Sequence, residues 1–148
     1  MKNIVVVFLI FLGSYFTHAQ DKDLKKILST STWRIDIESM KPQILLKFAT
    51  VPEMKELSKE EREIAVKNVL VSLSKLKYKF GEDGSFKNFI TGEIEYVGSY
   101  TLNVQDNELI TNLEIEPNSV FKIVSFDHKK IVLHHKLRNN DLILIPEN

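Results

Sequence analysis

The stretch from Leu76 to Ile90 limits most strongly what this chain can fold into. Leu76, Tyr78 and Phe80 alternate with Lys75, Lys77 and Lys79. That period of two belongs to a strand with one dry face and one wet face. Asp83-Gly84 follows, a pair that tolerates the positive φ of a tight hairpin turn. Phe86 then restarts the apolar pattern on a returning strand. Short strand and turn repeat from there to the C-terminus, so the sheet must be built from antiparallel neighbours.

The other strands are read in the same way. Trp33, Ile35 and Ile37 alternate with Arg34, Asp36 and Glu38, which predicts a first strand over Thr32 to Ser39. Ile94, Tyr96, Gly98, Tyr100 and Leu102 share one face of a later strand. Asp106-Asn107, Glu116-Pro117-Asn118-Ser119, Asp127-His128-Lys129 and Asn139-Asn140 read as turns. Between them lie strands at Glu108 to Ile115, Val120 to Phe126, Ile131 to Leu137 and Leu142 to Ile145. The count is about eight, in a meander. An open meander of that size leaves two exposed edges, and pairing the first strand with the last removes both. The expected fold is mainly β: a small up-and-down barrel or strongly curled sheet, with a helical insertion over about 42–75 between strands 1 and 2.

Within the insertion, Ser58 to Lys75 carries the marks of a helix. Ser58 and Glu61 form a capping-box pair, in which hydroxyl and carboxylate satisfy each other's first-turn amides. Glu60, Glu61 and Glu63 lie near the positive end of the helix dipole, and Lys75 near the negative end. Ala65, Val69, Leu73 and Leu76, flanked by Val66 and Leu70, form an apolar stripe expected to lie on the sheet. A shorter helix is expected between Pro42 and Pro52, since proline suits a first helical turn. Leu24, Ile27 and Leu28, spaced i, i+3, i+4, predict one or two helical turns ahead of the first strand. The long helix either caps one barrel end with its stripe in the core or serves as a movable lid.

The N-terminus reads as a leader. Lys2 supplies a positive charge, Ile4 to Leu12 is an unbroken run of nine apolar residues, and Thr17-His18-Ala19 offers small residues at the positions a signal peptidase reads. The apolar stretch extends at most to Phe16, short of the roughly 20 residues of a membrane-spanning helix. Residues 1–19 are therefore expected to be a cleaved signal peptide, with the cut between Ala19 and Gln20. Removing 19 of the 148 residues leaves 129. That is one domain, 20–148, able to bury roughly two thirds of its unfolded surface. Lys2 leaves with the leader, so 20 basic and 20 acidic side chains become a net charge of about −1. No basic excess points to nucleic acid or anionic lipid. The chain has no cysteine, which removes disulfides, thiolate zinc sites and cysteine nucleophiles. Export without disulfides fits a bacterial periplasmic or secreted protein held together by its core.

Few residues stand out chemically. Of four histidines, His18 is in the leader and His128 in a turn. His134 and His135 are neighbours on one strand and point to opposite faces, so they cannot share a metal ion. His135 falls on the face of Ile131, Leu133 and Leu137, where a neutral imidazole either orients a polar ligand head or is a satisfied core histidine. The serines lack a Gly-x-Ser-x-Gly context, and no phosphate loop, dinucleotide fingerprint or metal-ligand spacing is present. Trp33, Tyr78, Phe80, Tyr96 and Tyr100 are the remaining candidates, as aromatics expected inside the barrel. Small barrels are usually filled by side chains. Buried tyrosine hydroxyls want partners, however, which keeps a mixed polar and apolar ligand pocket open as a reading.

Several of these segments, in order, resemble the secreted bacterial lipocalin-like domain proteins. They are Leu28 to Trp33 (Leu-x-x-x-x-Trp), Tyr78 to Phe86 (Tyr-Lys-Phe-x-x-Asp-Gly-Ser-Phe), Gly98 to Leu102 (Gly-Ser-Tyr-Thr-Leu) and Lys129 to Leu133. Two features depart from lipocalins proper: Ser31-Thr32 stands where a glycine precedes the tryptophan, and a long helix precedes Tyr78. That insertion is similar to the two-helix cap of fatty-acid-binding barrels. The resemblance implies a barrel fold and a ligand-holding cavity, and no catalytic set. The expected function is non-enzymatic binding of a small apolar ligand outside the cytoplasm, through Trp33, Tyr78, Phe80, Tyr96, Tyr100 and His135. No catalytic, cofactor-binding or metal-binding residue is expected. The alternative is a protein-interaction or structural envelope module with a filled barrel.

Overall fold

The alternation described above produces a sheet that closes on itself. The computed structural model describes residues 23–147, so the expected leader and its cleavage point lie outside the described residues. A helix over 23–30 (α1) leads into β1 (Thr32–Ile35). The insertion follows as α2 (Ile37–Thr50), α3 (Pro52–Glu56) and α4 (Lys59–Lys75). Then come β2 (Lys77–Phe80), β3 (Ser85–Ile90), β4 (Ile94–Asn103), β5 (Glu108–Leu113), β6 (Ser119–Phe126), β7 (Ile131–His135) and β8 (Asn140–Pro146). Each strand pairs with the next, and β1 pairs antiparallel with both β2 and β8. The result is a closed antiparallel barrel of eight strands among the described residues. It is mainly β, with the helical insertion between the first two strands.

The turns use the residues their backbone requires. Gly84 has φ +87°, and Asn107, Asn118 and Asn139 lie at +57°, +54° and +49°, a region asparagine tolerates better than most residues. Gly98 has a different reason. A Cβ there would stand 2.0 Å from the carbonyl oxygen of Asn112 on β5, so the strands can approach this closely only at glycine.

The insertion corrects several expected boundaries. It begins at Ile37, not near Pro42, and Ile37 belongs to a helix despite continuing the strand alternation. Asp36 decides this. Its carboxylate accepts the Ser39 backbone N–H at 3.2 Å and the Ser39 hydroxyl at 2.6 Å, which caps a helix where the pattern predicted more strand. Pro42 therefore sits inside α2, not at its start. The expected capping box on α4 is present, with Ser58 N–H donating to Glu61 at 2.8 Å and Glu61 N–H to the Ser58 hydroxyl at 3.3 Å. The stripe on α4 does not lie flat on the sheet. Leu70, Leu73 and Leu76 pack on the core, no residue of α4 is fully buried, and Ile64 and Val71 face solvent.

The early end of β1 leaves the side of β8 away from β7 without a strand partner before Leu144, and α2 covers it. Asp36 N–H donates to the Ile143 carbonyl (2.8 Å) and Ile143 N–H to Met40 Sδ (3.4 Å). Gln43 bonds the Asp141 backbone in both directions, at 3.0 and 3.3 Å. An exposed barrel edge is thus closed by a helix's polar side chains. With Met40 and Ile44 buried, α2 is fixed to the barrel, and α4 rests outside it.

The core fills one end of the barrel. Trp33, Phe80, Phe86, Tyr100, Leu109, Ile123, Ile131, Leu133 and Leu144 are buried there, and Leu24, Ile27 and Leu28 of α1 close it from outside. The buried polar atoms of this end are satisfied. The Trp33 indole N–H donates to the Leu28 carbonyl at 2.8 Å, and the Tyr100 hydroxyl to the Gly81 carbonyl at 2.9 Å. Phe80 packs edge-on against Tyr100 and tilted against Phe86, with centroids 5.2 and 4.9 Å apart, separations typical of favourable aromatic pairs.

Candidate functional site

At the opposite end the alternation continues, but the inward residues change character. The positions facing the lumen are Tyr78 on β2, Asn88 on β3, Thr111 and Leu113 on β5, Ser119 and Phe121 on β6, His135 on β7, and Asn140 and Leu142 on β8. They surround a cavity of about 280 Å³ roofed by Met40 and Ile44 of α2 and by Leu73 and Leu76 at the end of α4. Six polar side chains from six strands thus form a belt between an apolar floor and an apolar roof.

The belt is not self-satisfied. Nε2 of His135 and the amide oxygens of Asn88 and Asn140 are shut off from solvent and have no hydrogen-bond partner in the protein. Buried side-chain polar atoms are normally paired, because an unmet one costs roughly 1–3 kcal/mol. Three such atoms on the lining of one cavity form a concentrated deficit. The backbone N–H of Arg138 donates to Nδ1 of His135 at 3.2 Å, so the neutral ring carries its proton on Nε2. Phe121 holds that ring edge-on, with centroids 4.7 Å apart. Glu116 lies 3.5 Å from Nε2 and is itself held by Arg138 at 2.6 Å. This Glu116–Arg138 pair joins the β5–β6 and β7–β8 loops across the cavity mouth. Burial, reinforced by the nearby Glu116 carboxylate, pushes the Tyr78 hydroxyl well above its ordinary pKa. That hydroxyl therefore stays protonated, able to donate and to accept.

The sequence candidates divide between the two ends. Trp33, Phe80 and Tyr100 are buried in the filled end. Tyr78 and His135 line the cavity. Tyr96 is 36% exposed and outside both groups. It occupies the part of β4, before Gly98, that pairs with β3 but has no β5 neighbour. Leu137, expected beside His135, is 91% exposed. β7 ends at His135, and the turn before Asn139 lifts Leu137 off the barrel. His128 is exposed in its turn, and His134 faces outward with Nδ1 2.8 Å from Asp141. Asn88, Thr111, Ser119 and Asn140 were not singled out from sequence. Their signal was available, since each holds an inward position of the alternation and is polar. Among the described residues no group of three or more His, Asp or Glu side chains is arranged to hold a metal ion, and no helix is long and apolar enough to cross a membrane.

A second concavity lies on the surface between α2 and α4, with Ile37, Leu45, Val66, Leu70 and Val71 at its base and Glu38, Lys41, Arg62, Glu63 and Lys67 around it. It is separate from the lumen.

Comparison with known proteins shows the fold. A crystal structure of a DUF4847 family protein from Bacteroides vulgatus is similar with a TM-score of 0.55 at 13% sequence identity, over 84% of this chain and 97% of that one. An NMR structure of a protein from Bacteroides uniformis aligns with a TM-score of 0.43 at 16% identity, over 49% of this chain and 74% of that one. No family profile matches the sequence, and no curated protein matches it. At 13% identity the DUF4847 structure establishes a shared architecture and nothing finer: the described residues form a small eight-stranded barrel with the architecture of that protein.

Proposed function

We propose that this protein is an extracytoplasmic, lipocalin-like binding protein that holds a small molecule with an apolar body in the open end of its barrel, without converting it. The observation that carries this reading is the set of three unpaired buried polar atoms, on Asn88, His135 and Asn140, around one cavity. A merely structural core has no use for such a deficit, whereas a ligand removes it. Binding rather than turnover is supported by the belt's composition, mostly amides and hydroxyls that hydrogen-bond without exchanging protons near neutral pH. The export reading rests on the leader pattern of residues 1–19.

Native mass spectrometry on protein purified from its own host tests the binding. The expected result is a mass surplus that disappears on denaturation. An empty chain of bare sequence mass contradicts it. N-terminal sequencing of the same sample tests export, with Gln20 expected as the first residue and Met1 as the contrary result.

The second reading is a protein-interaction module, favoured by the apolar concavity between α2 and α4 and by exposed Leu46 and Ile64 beside it. It called for a filled barrel, and the lumen at the α2 end is open.

A further inference from the structure

The unmet atoms specify more than the presence of a ligand. We infer that the cavity selects an uncharged molecule that presents hydroxyl or amide groups from a compact apolar ring, and that it rejects both carboxylates and plain hydrocarbons of the same size. This rests on the binding reading above and names the chemistry of its ligand.

The argument runs from charge and then from donor balance. The two ionised groups at the mouth, Glu116 and Arg138, already neutralise each other at 2.6 Å. A ligand carboxylate would have to compete with Glu116 for Arg138, in a lumen whose other polar groups on the strands are neutral. Desolvating that carboxylate without a counter-ion is strongly unfavourable. Lys47 also borders the cavity, but its side chain is exposed, and a solvated lysine contributes little to an ion pair.

A hydrocarbon avoids that cost but leaves the belt unmet. Asn88 and Asn140 offer two acceptor oxygens, and His135 offers one donor through Nε2–H, which the Glu116 carboxylate approaches to 3.5 Å without a hydrogen bond. They come from β3, β8 and β7, so the ligand must direct polar groups toward different sides. Hydroxyls and amides serve here because they both donate and accept. They satisfy asparagine in either amide orientation, reached by rotation about a soft terminal torsion. Phe86, Phe121, Leu113 and Leu142 supply apolar surface for the body of the ring. The volume of about 280 Å³ lies at the lower edge of ordinary ligand pockets, which matches a body of one ring.

A matched set of probes tests this on the folded protein after release of any host ligand: benzamide, benzoate and ethylbenzene, titrated by NMR while the side-chain resonances of Asn88, Asn140 and His135 are followed. Benzamide is expected to bind at least roughly tenfold more tightly than either of the others, since each buried polar group left unpaired is worth about a factor of ten. Asn88→Leu and Asn140→Leu are expected to weaken benzamide and strengthen ethylbenzene. Unmutated protein gives the ranking without reference to either variant, so a variant that fails to fold does not remove the test. Benzoate or ethylbenzene binding in the cavity as tightly as benzamide overturns the ligand class and leaves the binding reading standing. If none of the three perturbs the cavity and the host protein carries no mass surplus, both are overturned.

Discussion

The two ends of this barrel share strands, register and alternation, yet they satisfy opposite demands. At the end closed by α1, every inward residue packs, and the polar atoms of Trp33 and Tyr100 find backbone acceptors. At the end roofed by α2 and α4, Tyr78, Asn88 and His135 occupy equivalent inward positions two residues from Phe80, Phe86 and Leu133 on the same strands, and Asn140 lies opposite His135, around an open volume. The backbone needs only the period of two, so it tolerates either filling. On the proposed reading, stability is concentrated at the packed end and the open end serves binding. Polar groups that weaken a core are what a ligand site requires.

The largest effect that would expose this difference is a truncation in the filled end. Phe80→Ala is expected to destabilise by about 3–5 kcal/mol in denaturant titration, because a buried aromatic in a well-packed core leaves a cavity that does not collapse. A loss under about 1 kcal/mol would mean that this end is as loose as the other. At the open end the sign should change. Asn88→Leu and Asn140→Leu remove amide oxygens with unmet hydrogen bonds, so stability is expected to stay within about 1 kcal/mol of the parent or to rise. A strong loss from both would mark those side chains as structural.

The roof offers a finer contrast. Ser58→Ala is expected to cost about 1 kcal/mol through the lost cap on α4. Hydrogen exchange should show α4 opening ahead of α2, since Gln43, Met40 and Ile44 fasten α2 to β8 and the core while α4 buries no residue completely. Equal protection of the two helices would count against α4 as a movable lid. The smallest effect is one of pH. The hydroxyl and N–H of Ser39, helped by Lys130, hold the Asp36 carboxyl below its ordinary range. A depressed carboxyl stabilises the fold fully above its unfolded pKa of about 3.9 and loses that contribution as pH falls toward its folded value. The stability gap between parent and Asp36→Ala should therefore hold from pH 7 to 5 and narrow below about pH 4. A gap that stays constant down to pH 2 would show that the carboxylate's charge contributes nothing.

Much of the barrel was legible in the sequence because sheet faces and turns are written locally. Alternation at Trp33, Tyr78, Phe86 and Tyr100 and the turns at Asp83-Gly84 and Asn139 needed no distant partner to be read. What escaped was decided between elements. Ile37 continues a strand pattern, and the Asp36 cap still turns it into helix. The stripe on α4 could not reveal that α2 would already occupy the sheet edge. Four of the six polar belt residues were also missed. Aromatics were sought on inward positions, whereas the informative signal was polarity there, at Asn88, Thr111, Ser119 and Asn140. Tyr96 shows the converse, since correct parity does not put a side chain in a lumen when its strand has outrun its neighbour.

The most direct test compares side-chain NMR spectra of the host-purified protein before and after it is unfolded and refolded free of small molecules. A ligand held in the open end predicts shifts in the Asn88 and Asn140 amides and the His135 ring, with the Trp33 indole and the Tyr100 ring unchanged. Identical spectra, or changes centred on Trp33 and Tyr100, would contradict the division of the barrel into a packed end and a binding end.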